Sequence, residues 1–137
     1  MRKVTICASA SLPREIEVWR RELEYQGYRV IQFPPVIFKN YAKGHRHHFQ
    51  KIAESDIVFI LNLKKKGIKN YIGPSVFAEI AFAIGLNLAL RKKIKIYCLN
   101  PLPRKLPCSP ELEQWKRAGW IHFWKKGKKG ASLEKSK

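Results

Sequence analysis

The chain has 137 residues, 45% of them apolar and 28% charged, with a net charge of +18. A chain of that length and apolar content buries roughly two-thirds of its unfolded surface, which excludes a wholly disordered protein. No apolar run approaches the ~18 residues of a membrane span. The three cysteines, Cys7, Cys98 and Cys108, show no C-x-x-C spacing. They argue against a disulfide framework and a zinc site, and point to reducing cytoplasm.

Val4–Ala8 is a short run rich in β-branched residues and reads as a buried strand, not as a signal peptide. Ser9–Pro13 is a loop of small residues. Arg14–Gln26 follows as an amphipathic helix that turns Ile16, Trp19, Leu23 and, near its end, Tyr25 inward and stops at Gly27. Arg29–Phe33 is a second strand, stopped by Pro34-Pro35. The next stretch carries apolar Val36, Ile37 and Phe38, then basic residues. It predicts a loop passing into a helix that ends near Ser55. Asp56–Leu61 is the clearest buried strand, and Asn62–Gly73 a basic loop with Lys64, Lys65, Lys66 and Lys69. A long apolar helix spans Pro74 to Leu90. Lys93–Leu99 is a fourth strand, Asn100–Pro107 a proline-rich connection, Pro110–Ala118 a short helix and Trp120–Trp124 a last strand. Beyond Trp124 the chain holds six lysines and one glutamate, a net +5, which leaves +13 on residues 1–124. The division is a domain over 1–124 and a disordered basic tail over 125–137.

Alternation of strand and helix predicts an α/β fold. The form expected is a flavodoxin-like, doubly wound parallel sheet of five strands, order 2-1-3-4-5, in a three-layer sandwich. Such sheets hold ligands at the carboxyl ends of their strands, where strand order reverses. Ser9, Asn62, Asn100 and the start of the long helix all fall at that edge.

The long helix holds the main anomaly. Pro74 suits a first helical position, and the residues after it are apolar or small except Glu79. A carboxylate among Phe77, Ile80, Phe82 and Ile84 costs free energy unless it is paired or lines a cavity. The other reading is a Glu on a solvent-facing stripe. Ser9, Ser11 and Arg14 suit a 5′-phosphate through hydroxyls and a helix start; equally, Ser11 suits an N-cap. Asn62 and Asn100 suit either a base or sugar, or their own loop backbone. His45, His47 and His48 form an H-x-H-H cluster with no acid or cysteine beside it. It reads as a cationic helix start, or as a segment closing over a phosphate or base, rather than as a metal site. The basic surface attracts phosphates, nucleotides or nucleic acid by long-range field.

Three stretches resemble one family: Ile6-Cys-Ala-Ser9, Ala53-Glu-Ser-Asp-Ile-Val-Phe-Ile60 and Ser75-Val-Phe-Ala-Glu-Ile-Ala-Phe-Ala83. Together they are similar to the nucleoside 2-deoxyribosyltransferases and their hydrolytic relatives, the deoxynucleoside-monophosphate N-glycosidases. Asn70-Tyr-Ile-Gly73 and Leu99-Asn-Pro101 resemble a small bacterial branch of that superfamily. The resemblance implies that Glu79 is the catalytic nucleophile. With the residues read above, the substrate contacts expected are Ala8, Ser9, Ser11, Arg14, Asn62, Tyr71, Gly73, Ser75 and Asn100, and no cofactor is expected. The resemblance also implies a homodimer or higher homo-oligomer, since active sites of this family borrow residues from a neighbouring subunit. The chain has Ala8 where the family usually has Gly, and Gly73 where an Asp or Ser often stands. Asn62 replaces a further Asp. N-glycosidic cleavage needs a carboxylate at the anomeric carbon and an acid for the leaving base. Asp56, the only aspartate, begins a strand and so lies at the opposite edge of the sheet, and Glu54 just before it shares that edge. The acid is therefore left to water, Tyr71 or a histidine from a mobile loop.

Overall fold

Along the first strand, Val4, Ile6 and Ala8 pack into one apolar cluster, while Cys7 packs into a second on the other face. That is the two-residue period of a strand covered on both sides. The computed structural model describes residues 1–34 and 40–125. The expected loop through Val36–Phe38 and the basic tail beyond Lys125 lie outside the described residues. The elements in chain order are β1 (Lys3–Cys7), α1 (Pro13–Tyr25), β2 (Arg29–Gln32), α2 (Tyr41–Glu54), β3 (Ile57–Ile60), α3 (Pro74–Leu90), β4 (Lys95–Cys98), α4 (Ser109–Arg117) and β5 (His122–Phe123).

The five strands form one sheet in the order β2-β1-β3-β4-β5, every pair parallel. This is the predicted flavodoxin-like topology. β3 is buried throughout, because it is central and covered on both faces. Ile16 and Leu23 of α1 pack with Val4, Ile6 and Phe59 on one face. Ile52 of α2, Ile80 and Ala83 of α3, and Leu112 and Trp115 of α4 pack with Val58, Ile60 and Ile96 on the other. The central strands pair in register, Cys7 opposite Ile60 and Ile60 opposite Cys98. Their carboxyl ends therefore lie side by side.

One local expectation is corrected. Leu12, not Ser11, is the N-cap of α1, and no side chain caps it. The Ser11 hydroxyl lies 2.8 Å from that of Ser9 instead, so the loop satisfies itself rather than the helix. No helix among the described residues is long and apolar enough to cross a membrane.

Candidate active site

Strand order reverses between β1 and β3, and a cavity of about 260 Å³ opens there. Ala8, Ser9 and Ala10 after β1 form one wall, and Leu61 and Leu63 after β3 form the floor. Tyr71, Gly73 and Ser75 at the start of α3, with His45 and His48 of α2, close the rest. Glu79 is its sole acidic lining residue among the described residues.

Glu79 sits one turn into α3 and is only 7% exposed. This removes the solvent-stripe reading. Its Oε1 has no hydrogen-bond partner among the described residues, although the His48 Nε2 lies 3.5 Å away. His48 is itself buried, and its Nε2 lies 3.6 Å from the Cys7 Sγ. On the far side of the ring, the Gln32 Nε2 of β2 reaches Nδ1 at 3.2 Å. With the amide donating there, the neutral ring carries its proton on Nε2, facing Glu79 and Cys7. Burial first, and then the adjacent Glu79 carboxylate, hold the Cys7 thiol well above its ordinary value. Cys7 is thus a protonated neighbour rather than a nucleophile. Burial also pushes the Cys98 thiol up to about 12.

Sequence reasoning missed Cys7 and His48. The histidine cluster splits: His47 is exposed, His45 lines the cavity, and only His48 turns into the core. Its position four residues before buried Ile52 is the signal that marks it, because residues at i and i+4 share a helix face.

Lys65 donates from Nζ to the Ser9 hydroxyl, and its ammonium also lies 5.6 Å from the Tyr71 ring centre. Lys65 and Lys66 line the cavity. Its mouth thus carries cations beside the first turn of α3, whose free N–H groups favour an anion. Gly73 is the N-cap of α3. A Cβ there would lie 3.1 Å from the Tyr71 Cε2, so glycine lets that ring pack against the helix start.

Four expected site residues do not line this cavity. Ser11 is exposed beside Ser9, and Arg14 is exposed on the first turn of α1. Asn62 is buried and clamps the two strand ends together. Its Nδ2 donates to the carbonyls of Asn100 and Pro101 at 3.0 and 3.2 Å, and its Oδ1 accepts from the Asn100 N–H at 3.0 Å. The Asn100 Nδ2 returns a bond to the Asn62 carbonyl at 2.9 Å. Of the two readings for this pair, the backbone-satisfying one describes these contacts.

No family model matches the chain. No curated protein matches it either. Among solved structures the chain is similar to the CMP N-glycosidase BcmB of Clostridium botulinum, with 16% identity and a TM-score of 0.59. The match covers 93% of this chain and 91% of that one. The likeness is one of fold, consistent with the five-stranded parallel α/β sheet of this chain.

Proposed function

We propose that the chain is a nucleoside 2-deoxyribosyltransferase-like enzyme. It would cleave or transfer at the N-glycosidic bond of a deoxynucleoside or its 5′-monophosphate, with Glu79 as nucleophile. The observation that carries this reading is the buried Glu79 carboxylate, one oxygen unpartnered, on the wall of a cavity at the strand-order switch point. The fold likeness to an N-glycosidase and the motif around Glu79 support it.

In this mechanism a Glu79 oxygen attacks the anomeric carbon. The bond to the base breaks, and its electron pair leaves with the base, which takes a proton. Water, or a second base, then displaces the sugar from Glu79. In-line attack puts Glu79 on the face of the sugar opposite the departing base, and His48 stands beside Glu79, its Nε2 3.5 Å from Oε1. It therefore orients the carboxylate rather than protonating the base. The Tyr71 hydroxyl or a water supplies that proton. Lys65, Ser9 and the start of α3 hold a 5′-phosphate at the mouth. A cavity of a few hundred Å³ suits one nucleotide rather than a polymer. Self-association is part of the proposal, and light scattering that shows only monomer would count against it.

A panel of deoxynucleosides, ribonucleosides and their 5′-monophosphates, assayed chromatographically for free base, tests the reading. Release of base from at least one deoxynucleoside or deoxynucleoside monophosphate is expected. Absence of release from every member, with micromolar nucleotide binding intact, would instead leave a non-catalytic nucleotide- or RNA-binding module on the same fold. The single carboxylate in the cavity and the strongly basic chain favour that second reading.

A further inference from the structure

We propose that Cys7, His48 and Glu79 form a three-ligand site for one thiophilic divalent ion, of which zinc is the type, with its fourth position open to the cavity. The three ligating atoms come from β1, α2 and α3 and lie within 4.8 Å of one another. Around a tetrahedral ion with a metal–sulfur bond of ~2.3 Å and a metal–nitrogen bond of ~2.0–2.1 Å, sulfur and nitrogen stand about 3.6 Å apart, and nitrogen and oxygen about 3.4 Å. The Cys7 Sγ to His48 Nε2 separation is 3.6 Å, and His48 Nε2 to Glu79 Oε1 is 3.5 Å. Both pairs that include His48 therefore have ligand spacing before any ion enters, and the Cys7–Glu79 pair lies within 4.8 Å.

A second observation points the same way. Glu79 is 7% exposed and its Oε1 has no hydrogen-bond partner among the described residues. A buried carboxylate oxygen without a donor costs free energy, and an ion at the centre of the triad would supply the missing partner. The ligand types choose the ion. Thiolate with imidazole suits zinc, copper and cobalt, whereas magnesium and calcium take all-oxygen shells. Gln32 completes the surroundings. Ligation through Nε2 puts the ring proton on Nδ1, and a half-turn of the Gln32 amide places its oxygen there to accept it. His48 and Glu79 line the cavity, so water or a substrate atom can take the fourth position. On binding, the Cys7 S–H bond breaks, the sulfur pair forms the metal bond and the proton passes to solvent.

Such an ion would occupy the carboxylate that attacks the sugar. Zinc is then an inhibitor of the proposed glycosidase. That consequence rests on the proposed function, while the binding does not. The test is a Co²⁺ titration of the full, chelator-treated chain, read by absorption, with Zn²⁺ as competitor. One equivalent of cobalt should produce a thiolate-to-metal charge-transfer band that zinc abolishes. Cys7→Ser should lose the band, and Glu79→Gln should weaken affinity at least tenfold. A double His45→Gln, His47→Gln variant should bind as the parent does. If Cys7→Ser does not fold, the band itself reports sulfur ligation in the parent, and Glu79→Gln carries the comparison. Failure to bind one equivalent, a spectrum without the thiolate band, or an affinity unchanged by Glu79→Gln would overturn the site. Cobalt binding without base release from any nucleotide would sink the glycosidase and leave the metal site standing. Base release without cobalt binding would do the reverse.

Discussion

Replacing Glu79 with glutamine should make the protein more stable while removing its activity. Glu79 is 7% exposed, and one carboxylate oxygen lacks a hydrogen-bond partner among the described residues. Leaving such a group unsatisfied in a buried place costs about 1–3 kcal/mol. Glutamine has nearly the same shape and no charge to desolvate. The expected gain is about 1–2 kcal/mol. For a chain of this length each kcal/mol moves the melting temperature by about 3–4 °C, so Glu79→Gln should melt about 3–8 °C higher at neutral pH. Base release should fall by about 10³-fold or more, as when a catalytic nucleophile is removed. Opposite signs in stability and activity mark a carboxylate retained for chemistry rather than for the fold. The assay pairs thermal unfolding with chromatographic detection of free base. A melting temperature lowered by several degrees, together with undiminished base release, would refute the reasoning.

Asn62→Ala removes three side-chain hydrogen bonds between the β3 and β4 ends. At about 1 kcal/mol each it should cost about 3 kcal/mol and lower the melting temperature by about 10 °C; an unchanged melt with a raised KM would return Asn62 to substrate binding. Lys65→Ala should reduce kcat/KM for a monophosphate by about tenfold or more and leave the parent nucleoside nearly unaffected. Equal losses on both substrates would remove the phosphate role. Hydrogen bonds from Arg20 and then Arg21 hold the Glu17 carboxyl down at about 2. A depressed carboxyl stabilises the folded state above its unfolded value, near 4.5, and that contribution is lost as pH falls through about 2. A side-chain carbonyl NMR titration of Glu17 with its midpoint near 4.5 would contradict the bonding.

The sheet was legible because burial on both faces leaves a plain signature. β3 reads as an unbroken apolar run, and the turn signals at Gly27, Pro34-Pro35 and Gly73-Pro74 separate the elements around it. Glu79 was legible for the same reason: in a helix that is apolar nearly all round, one carboxylate is conspicuous. Its neighbours were not. Cys7 and His48 lie 41 residues apart and meet only because parallel crossovers bring the end of β1 against α2. No local spacing records that meeting. In the histidine cluster, charge and polarity masked the one member that shares a face with Ile52. At Asn62 and Asn100 the residues alone left two readings open. Polar residues at strand ends mark a ligand edge in this architecture, yet these two spend their hydrogen bonds on each other's backbone and on Pro101.

The covalent role of Glu79 is tested most directly by mass spectrometry of the protein quenched during turnover of a 2′-fluoro nucleotide. Fluorine at that carbon disfavours the oxocarbenium-like transition state and slows release of the sugar from the enzyme. One sugar phosphate per chain should be added, on the peptide that carries Glu79, and none in Glu79→Gln. Base release from the unmodified substrate with no adduct at any time, or an adduct on another residue, would contradict that role.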